Sequence, residues 1–153
     1  MALVGVISDT HGLMRASALR ALKGADLIIH AGDVGEPEVL DQLREIATTH
    51  AVRGNVDTQS WSADLPATLD VEVDGMRFHV LHDIAELDLE PDSARVAAIV
   101  FGHSHKPSIE MRGGVLYLNP GSAGPRRFRL PVTIARVRVS GRTLIPEIVT
   151  LES

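Results

Sequence analysis

The stretch FGHSHKP, residues 101–107, holds two of the chain's seven histidines, His103 and His105, one residue apart behind a glycine. If a strand runs through them, their side chains share a face. Neighbouring imidazoles on one face either repel when protonated or hold a metal ion. Other donors recur at comparable places. Asp9 and His11 follow the apolar run ALVGVIS, Asp33 closes DLIIHAGD, Asn55 closes HAVRGN, and His82 follows RFHVL. Each run reads as a short strand, so all seven donors fall at strand C-terminal ends, the edge where open α/β sheets bind ligands. Taken singly, these residues have plainer readings: Asp9 as a helix cap, Asp33 and Asn55 as turn residues beside glycine, His82 as a hydrogen-bonded structural histidine. Taken together they have the composition of a metal centre. The chain has no cysteine, so the ligands of such a centre are nitrogen and oxygen. His30 within its run, His79 three residues before His82, and His50 at a strand start are assigned packing or surface roles instead.

The elements that must carry these donors follow from periodicity. The runs at 2–8, 26–33 and 50–55 read as strands. RASALRALKG (15–24) and PEVLDQLREIATT (37–49) have apolar residues at helical spacing, the first stopped by Gly24 and the second opened by Pro37. The first third is therefore β-α-β-α-β, which implies right-handed crossovers and parallel strands. After residue 67 the rhythm changes. Hairpins are expected around Asp74-Gly75, Gly113-Gly114 and Ser140-Gly141, with one more buried strand at 96–102. The fold class expected is α/β, with two packed β-sheets flanked by helices, in a single domain spanning residues 1–153.

Composition narrows the function classes. The chain has 153 residues, 44% hydrophobic and 23% charged, with no low-complexity tract, which suits a soluble globular protein with a sizeable core. A net charge of −5 and 3% aromatic residues leave no basic, base-stacking platform, so no nucleic-acid partner is expected. RRFR (126–129) is the only dense basic cluster and suits a solvated loop or a phosphate contact. The N-terminal apolar run is too short for a signal segment or a membrane span. A cytoplasmic protein without a membrane partner is expected, and hairpin edges would permit a homo-oligomer.

The ordered set Asp9-x-His11, Gly32-Asp33, Gly54-Asn55, His82 and Gly102-His103-x-His105, followed by NPGS (119–122) and Pro125-Arg126, resembles the calcineurin-like metallophosphoesterases. More narrowly, it is similar to their small YfcE-type phosphodiesterase branch. The resemblance covers residues 4–127. It implies a four-layer αββα sandwich and a phosphodiesterase carrying two divalent metal ions. Asp9, His11 and His105 would hold the first ion, Asn55, His82 and His103 the second, and Asp33 would bridge them. Asp33, Asn55 and His103 would also serve catalysis, with a hydroxide shared by the two ions as nucleophile. Mn²⁺ is the first choice by resemblance, while Ni²⁺, Co²⁺, Fe²⁺ or Zn²⁺ suit the same ligands.

Charge favours a small phosphodiester as substrate. Two M²⁺ ions less two carboxylates leave about +2, and a bridging hydroxide about +1. A diester monoanion balances that charge; a dianion would need a helper such as Arg126 or Arg53. The wider superfamily often has G-N-H-[DE] as its third motif. Here it is Gly54-Asn55-Val56-Asp57, and valine cannot protonate a leaving group, so activated aryl esters are expected to outrun alkyl esters. Three further residues carry two readings each: Asp57 as a substitute acid or a turn residue, Asp83 as a partner of a ligand imidazole or a cap, and Ser122 as pocket lining or a structural turn. Two other functions fit the motifs, a non-catalytic interaction scaffold like the retromer subunit of this fold, and a nuclease.

Overall fold

The computed structural model describes residues 1–127 and 129–152; Phe128 of the RRFR stretch and Ser153 lie outside the described residues. Strand β1 (Ala2–Ile7) leads through helix α1 (Ala16–Leu22) to β2 (Leu27–His30), and through α2 (Pro37–Arg44) to β3 (Thr48–Ala51). All three strands pair in parallel, as the β-α-β-α-β pattern requires. The chain then forms β4 (Thr68–Val73), β5 (Met76–Leu81), the short helix α3 (Pro91–Ala94), β6 (Ala98–Val100), β7 (Ser108–Arg112), β8 (Val115–Asn119), β9 (Val132–Ser140) and β10 (Thr143–Glu152). Two five-stranded sheets result, in the orders β10-β9-β1-β2-β3 and β4-β5-β6-β8-β7.

The sheets pack face to face because alternate residues of both are apolar. Val4, Val6 and Ile29 of the first sheet meet Phe78, Val80 and Leu118 of the second in one fully buried cluster. The outer face of the first sheet buries Ile7 and Ile28 beneath Leu22 of α1 and Leu40 and Leu43 of α2. The outer face of the second buries Ile99 and Val115, with Ile84 and Leu89 packed over them. Its helical cover is slight, a 3₁₀ turn at Ile84–Glu86 and the four-residue α3. No helix among the described residues is long and apolar enough to cross a membrane.

Several boundaries differ from the sequence reading. The second helix stops at Arg44 rather than at 49, and Thr48 and Thr49 belong to β3, pairing with Leu27 and Ile28. Two β-branched residues beside an open parallel strand favour the ladder over another helical turn. The second sheet is mixed rather than a set of antiparallel hairpins, because β6 pairs in parallel with both β5 and β8. β6 ends at Val100, so His103 and His105 lie in a loop rather than on a strand face. Both have left-handed backbones, with φ of 72° and 64°. Their place at the rim therefore comes from loop geometry and not from strand alternation.

Candidate metal centre

The loops after β1, β2, β3, β5 and β6 converge at one rim of the sandwich. Seven non-glycine residues have positive φ among the described residues, and five of them are candidate donors: Asp9, His11, Asp33, His103 and His105. A side-chain-bearing residue reaches that region at a cost of about 1–3 kcal/mol, and persists there only when its surroundings over-determine it. The surroundings here are backbone clamps. Asp9 N–H donates to Gly32 O at 3.0 Å and His11 N–H to Asp33 O at 2.9 Å, tying the first loop to the second. Gly102 N–H donates to His82 O at 2.9 Å, and His103 N–H to Asp9 Oδ2 at 3.1 Å, which brings in the loops of the second sheet. Close approach explains two of the glycines. A Cβ at Gly54 would collide with the Asp33 amide and carboxylate, and one at Gly102 would lie 2.6 Å from Asp9 Oδ2.

Side chains gather around Asp9, which is fully buried. Its Oδ2 accepts from Ser8 Oγ at 2.8 Å, but its Oδ1 has no hydrogen-bond donor. That oxygen lies 3.5 Å from His105 Nε2, 3.8 Å from His82 Nε2 and 3.9 Å from His11 Nε2. Asp33 Oδ2 lies 3.1 Å from His82 Nε2 and 3.6 Å from His11 Nε2, itself buried and unpartnered. The Asn55 amide atom facing the centre is 3.0 Å from His82 Nε2 and 3.2 Å from both Asp33 oxygens. As nitrogen it donates to these three atoms, and as oxygen it would need a cation among them. Two trios come within ligating reach of a common point, Asp9 with His11 and His105, and Asp9 with Asp33 and His82.

The first trio is the group assigned to one ion by resemblance. In the second, Asp9 stands beside Asp33, and Asp9 is the carboxylate common to both trios. His103 is set apart. Its side chain is 48% exposed, its Nε2 is 3.9 Å from Asp83 Oδ2, and its ring stands edge-on to His82 at 5.2 Å.

Electrostatics fit the same picture. Burial raises the Asp9 carboxyl to about 6. Burial also pushes Asp33 up, but the His82 hydrogen bond, the Val56 N–H and the neighbouring imidazole charges outweigh it and hold Asp33 at about 2. Burial lowers His11, and lowers His105 to about 4 with help from the charges of Arg127 and His11. Burial opposes charge on His82 too, yet its bonds to Asp33 and Ala31 O leave it raised. His82 Nδ1 lies 2.8 Å from Ala31 O; donating there turns Nε2 towards the carboxylates. An unpaired carboxylate oxygen and an unpaired imidazole nitrogen are what a divalent cation would satisfy, and the residues fit one.

A cavity of 260 Å³ opens beside this cluster, lined by Arg53, Asn55, Thr68, His82, Asp83 and His103 among others. The comparisons with known proteins agree with its chemistry. The profile described as a calcineurin-like phosphoesterase superfamily domain matches residues 2–142. The chain belongs to that superfamily. A probable metallophosphoesterase of Methanocaldococcus jannaschii is 37% identical over 133 residues, covering 78% of this chain and 67% of that one. Phosphodiesterase YfcE of Escherichia coli is 29% identical over 139 residues, covering 75% and 76% of the two chains. The solved structure of YfcE superposes with a TM-score of 0.69 over 98% of this chain and all of that one, at 23% identity. Vps29 of Chaetomium thermophilum shares the fold, with a TM-score of 0.77, 20% identity and coverage of 98% and 96%. The protein is thus a calcineurin-like phosphoesterase, a phosphoric ester hydrolase with the metallophosphoesterase fold.

The ambiguous residues of this phosphoesterase have definite places. Asp57 is buried, and its carboxylate accepts from three backbone N–H groups, Val34 at 3.1 Å, Gly35 at 3.0 Å and Gly54 at 2.9 Å. It staples the Asp33 loop to the Asn55 loop. Ser122 is buried and donates to Asp9 O at 3.0 Å, and Asn119 Nδ2 donates to Gly102 O at 3.1 Å, so the NPGS stretch braces the ligand loops from behind. Asp83 caps the 3₁₀ turn through Ala85 N–H at 3.0 Å while its second oxygen faces His103.

His30 packs as its place within an apolar run implies, and one feature, Arg127, escaped sequence reasoning. His30 is wholly buried, and both of its nitrogens are engaged. Nδ1 accepts from Gly32 N–H at 3.1 Å, which leaves Nε2 to donate to Thr10 Oγ1 at 3.0 Å, and Thr10 passes a bond to Val34 O at 2.8 Å. Arg127, not Arg126 or Arg53, is the arginine whose charge reaches His11 and His105. A bare RRFR run does not distinguish which of its arginines acts on the imidazoles.

Proposed function

We propose that this phosphoesterase hydrolyses small phosphodiesters at a centre of two divalent metal ions. The observation that carries the reading is the pair of donor trios meeting at Asp9, whose inner oxygen has no donor. Asp9, His11 and His105 would hold one ion, and Asn55, His82 and His103 the other, with Asp33 between them. Two such ions would supply a water-derived nucleophile near neutral pH and neutralise charge developing on the phosphoryl oxygens. The chain's own part is positional. Strained, clamped loops hold the donors without reorganisation, and His82 is aimed by Ala31 O. His103, half-exposed at the cavity, is the donor best placed to meet the ester as well.

Mn²⁺ is the first ion to supply, since imidazole and carboxylate ligands without thiolate suit it and its neighbours in the first transition row. The substrate is a small molecule in a cytoplasmic setting. Asp57 is committed as an acceptor to three N–H groups and Val56 has no proton to give, so no acid among these residues serves a poor leaving group. Chelator-stripped protein resupplied with Mn²⁺ should hydrolyse bis-p-nitrophenyl phosphate and lose that activity in His103→Ala. Alkyl diesters should react at least about a hundredfold more slowly, the lower range of a missing general acid. Equal rates on both ester classes would show that another acid operates, and inactivity with metal bound would contradict the reading.

A further inference from the structure

Four strands lie at sheet edges, β10 and β3 in the first sheet and β4 and β7 in the second. An open edge presents unpaired N–H and C=O groups to any strand that fits. Three of these edges carry features that discourage pairing with a second copy. β10 contains Pro146 and a register shift between Thr150 and Glu152, and β3 is four residues long. β4 exposes Asp70 and Glu72 on one face, so two copies would set carboxylate against carboxylate.

β7 has none of these features. All five of its residues are exposed, Ile109 by 43% and Met111 by 61%. Ile109 stands opposite Leu118 and Met111 opposite Leu116, and both leucines are fully buried between the sheets. Residues paired across two strands point to the same side, so Ile109 and Met111 are core-side residues that extend beyond their cover. The two-residue turn at Gly113-Gly114 closes on Arg112 and Val115. That sets the phase of the ladder: Arg112 and Glu110 bond to β8, while the backbone groups of Ile109 and Met111 point off the edge. Leu116 N–H, in phase with this, bonds away from β7 to Ala97 O at 3.0 Å. On the other face Glu110 and Arg112 form a bidentate pair, both contacts 2.9 Å, and the guanidinium lies 4.7 Å from the centre of the Tyr117 ring.

We propose that β7 is the seam of a homodimer, in which a second copy of this chain lays its own β7 antiparallel along the edge and joins two five-stranded sheets into one. A two-fold axis at Met111 makes its outward N–H and C=O bond those of the partner's Met111. The same register puts each Glu110 opposite the partner's Arg112. Four charges then alternate around the axis, with every carboxylate between two guanidiniums. Moving the axis to Glu110 would set that carboxylate against its own copy, so charge selects the Met111 register. The strand sequence Glu-Met-Arg is complementary to itself when reversed, and none of the other edges is.

Charge reversal tests this directly. In sedimentation between about 1 and 100 µM, the native chain should pass from monomer to dimer. Glu110→Arg alone and Arg112→Glu alone should each remain monomeric over that range, with unchanged circular dichroism and metal binding, because both side chains are exposed and remote from the ligand cluster. Mixed one to one, the two single variants should form a heterodimer, and the double variant Glu110→Arg/Arg112→Glu should dimerise by itself. A native chain that stays monomeric to 100 µM would overturn the proposal and leave the edge to a strand of another protein. A dimer that survives both single reversals would overturn it too, by showing that a different face is used.

Discussion

Asp9 Oδ1 is a fully buried carboxylate oxygen that faces three imidazole nitrogens within 3.9 Å and has no hydrogen-bond donor. Such an atom costs stability unless a cation or a proton satisfies it. Without a metal, the proton takes that place. Burial puts the Asp9 carboxyl at about 6, and the Asp33 contact keeps His82 above its ordinary range. Both groups carry protons near pH 6 and must lose them to ligate, so metal uptake releases protons. His105, held at about 4, is already neutral there and releases none, and burial shifts His11 in the same direction. Affinity for Mn²⁺ should therefore fall as pH falls through about 6, by about tenfold per pH unit for each proton displaced. Calorimetric titrations in buffers of different ionisation enthalpy would show the release; affinity constant from pH 5 to 8 would contradict it. The seven candidate donors were legible because each follows an apolar run, four of them close behind a glycine. Their left-handed backbones were not legible, since φ at Asp9 or His105 is imposed by contacts from loops far away in sequence.

At the scale of elements, the site depends on how loops are tied together. Asp57 has two oxygens and satisfies three N–H groups from two loops. Asp57→Asn removes the charge and half the acceptor capacity while keeping the shape. It should cost about 1–3 kcal/mol of stability, the penalty of one orphaned buried donor. It should also weaken Mn²⁺ binding by about 10- to 100-fold, as expected for a group that orients ligands. Urea denaturation and metal titration on the same preparation would check both; an unchanged metal affinity would make Asp57 a turn residue only. Sequence reasoning left Asp57 between acid and turn because a Gly-Asn-Val-Asp run does not reveal where its carboxylate points. It recovered the parallel β1-β2-β3 unit and the three glycine hairpins, whose turn residues and apolar spacing are local. It missed the parallel pairing of β6 with β5 and β8, because nothing within a three-residue strand names its neighbours.

At the scale of the whole molecule, the candidate centre straddles the sandwich. Asp9, His11, Asp33 and Asn55 extend from the first sheet, and His82, His103 and His105 from the second. Each trio draws on both, so a bound ion would cross-link sheets that are otherwise joined through their shared apolar face. Metal binding should then stabilise the fold, by about 2.7 kcal/mol for each ion at a free Mn²⁺ concentration 100 times its Kd. Thermal unfolding with and without chelator would measure it, and equal midpoints would mean that no ion binds the folded chain in preference to the unfolded one. The central claim is two ions in one cluster, and counting them tests it most directly. Calorimetric titration of stripped protein with Mn²⁺, at a pH near 7.5, should give two ions per chain. His105→Ala and His103→Ala should each reduce that number to one. A single ion per chain in the native protein, or two that persist in both variants, would contradict the assignment.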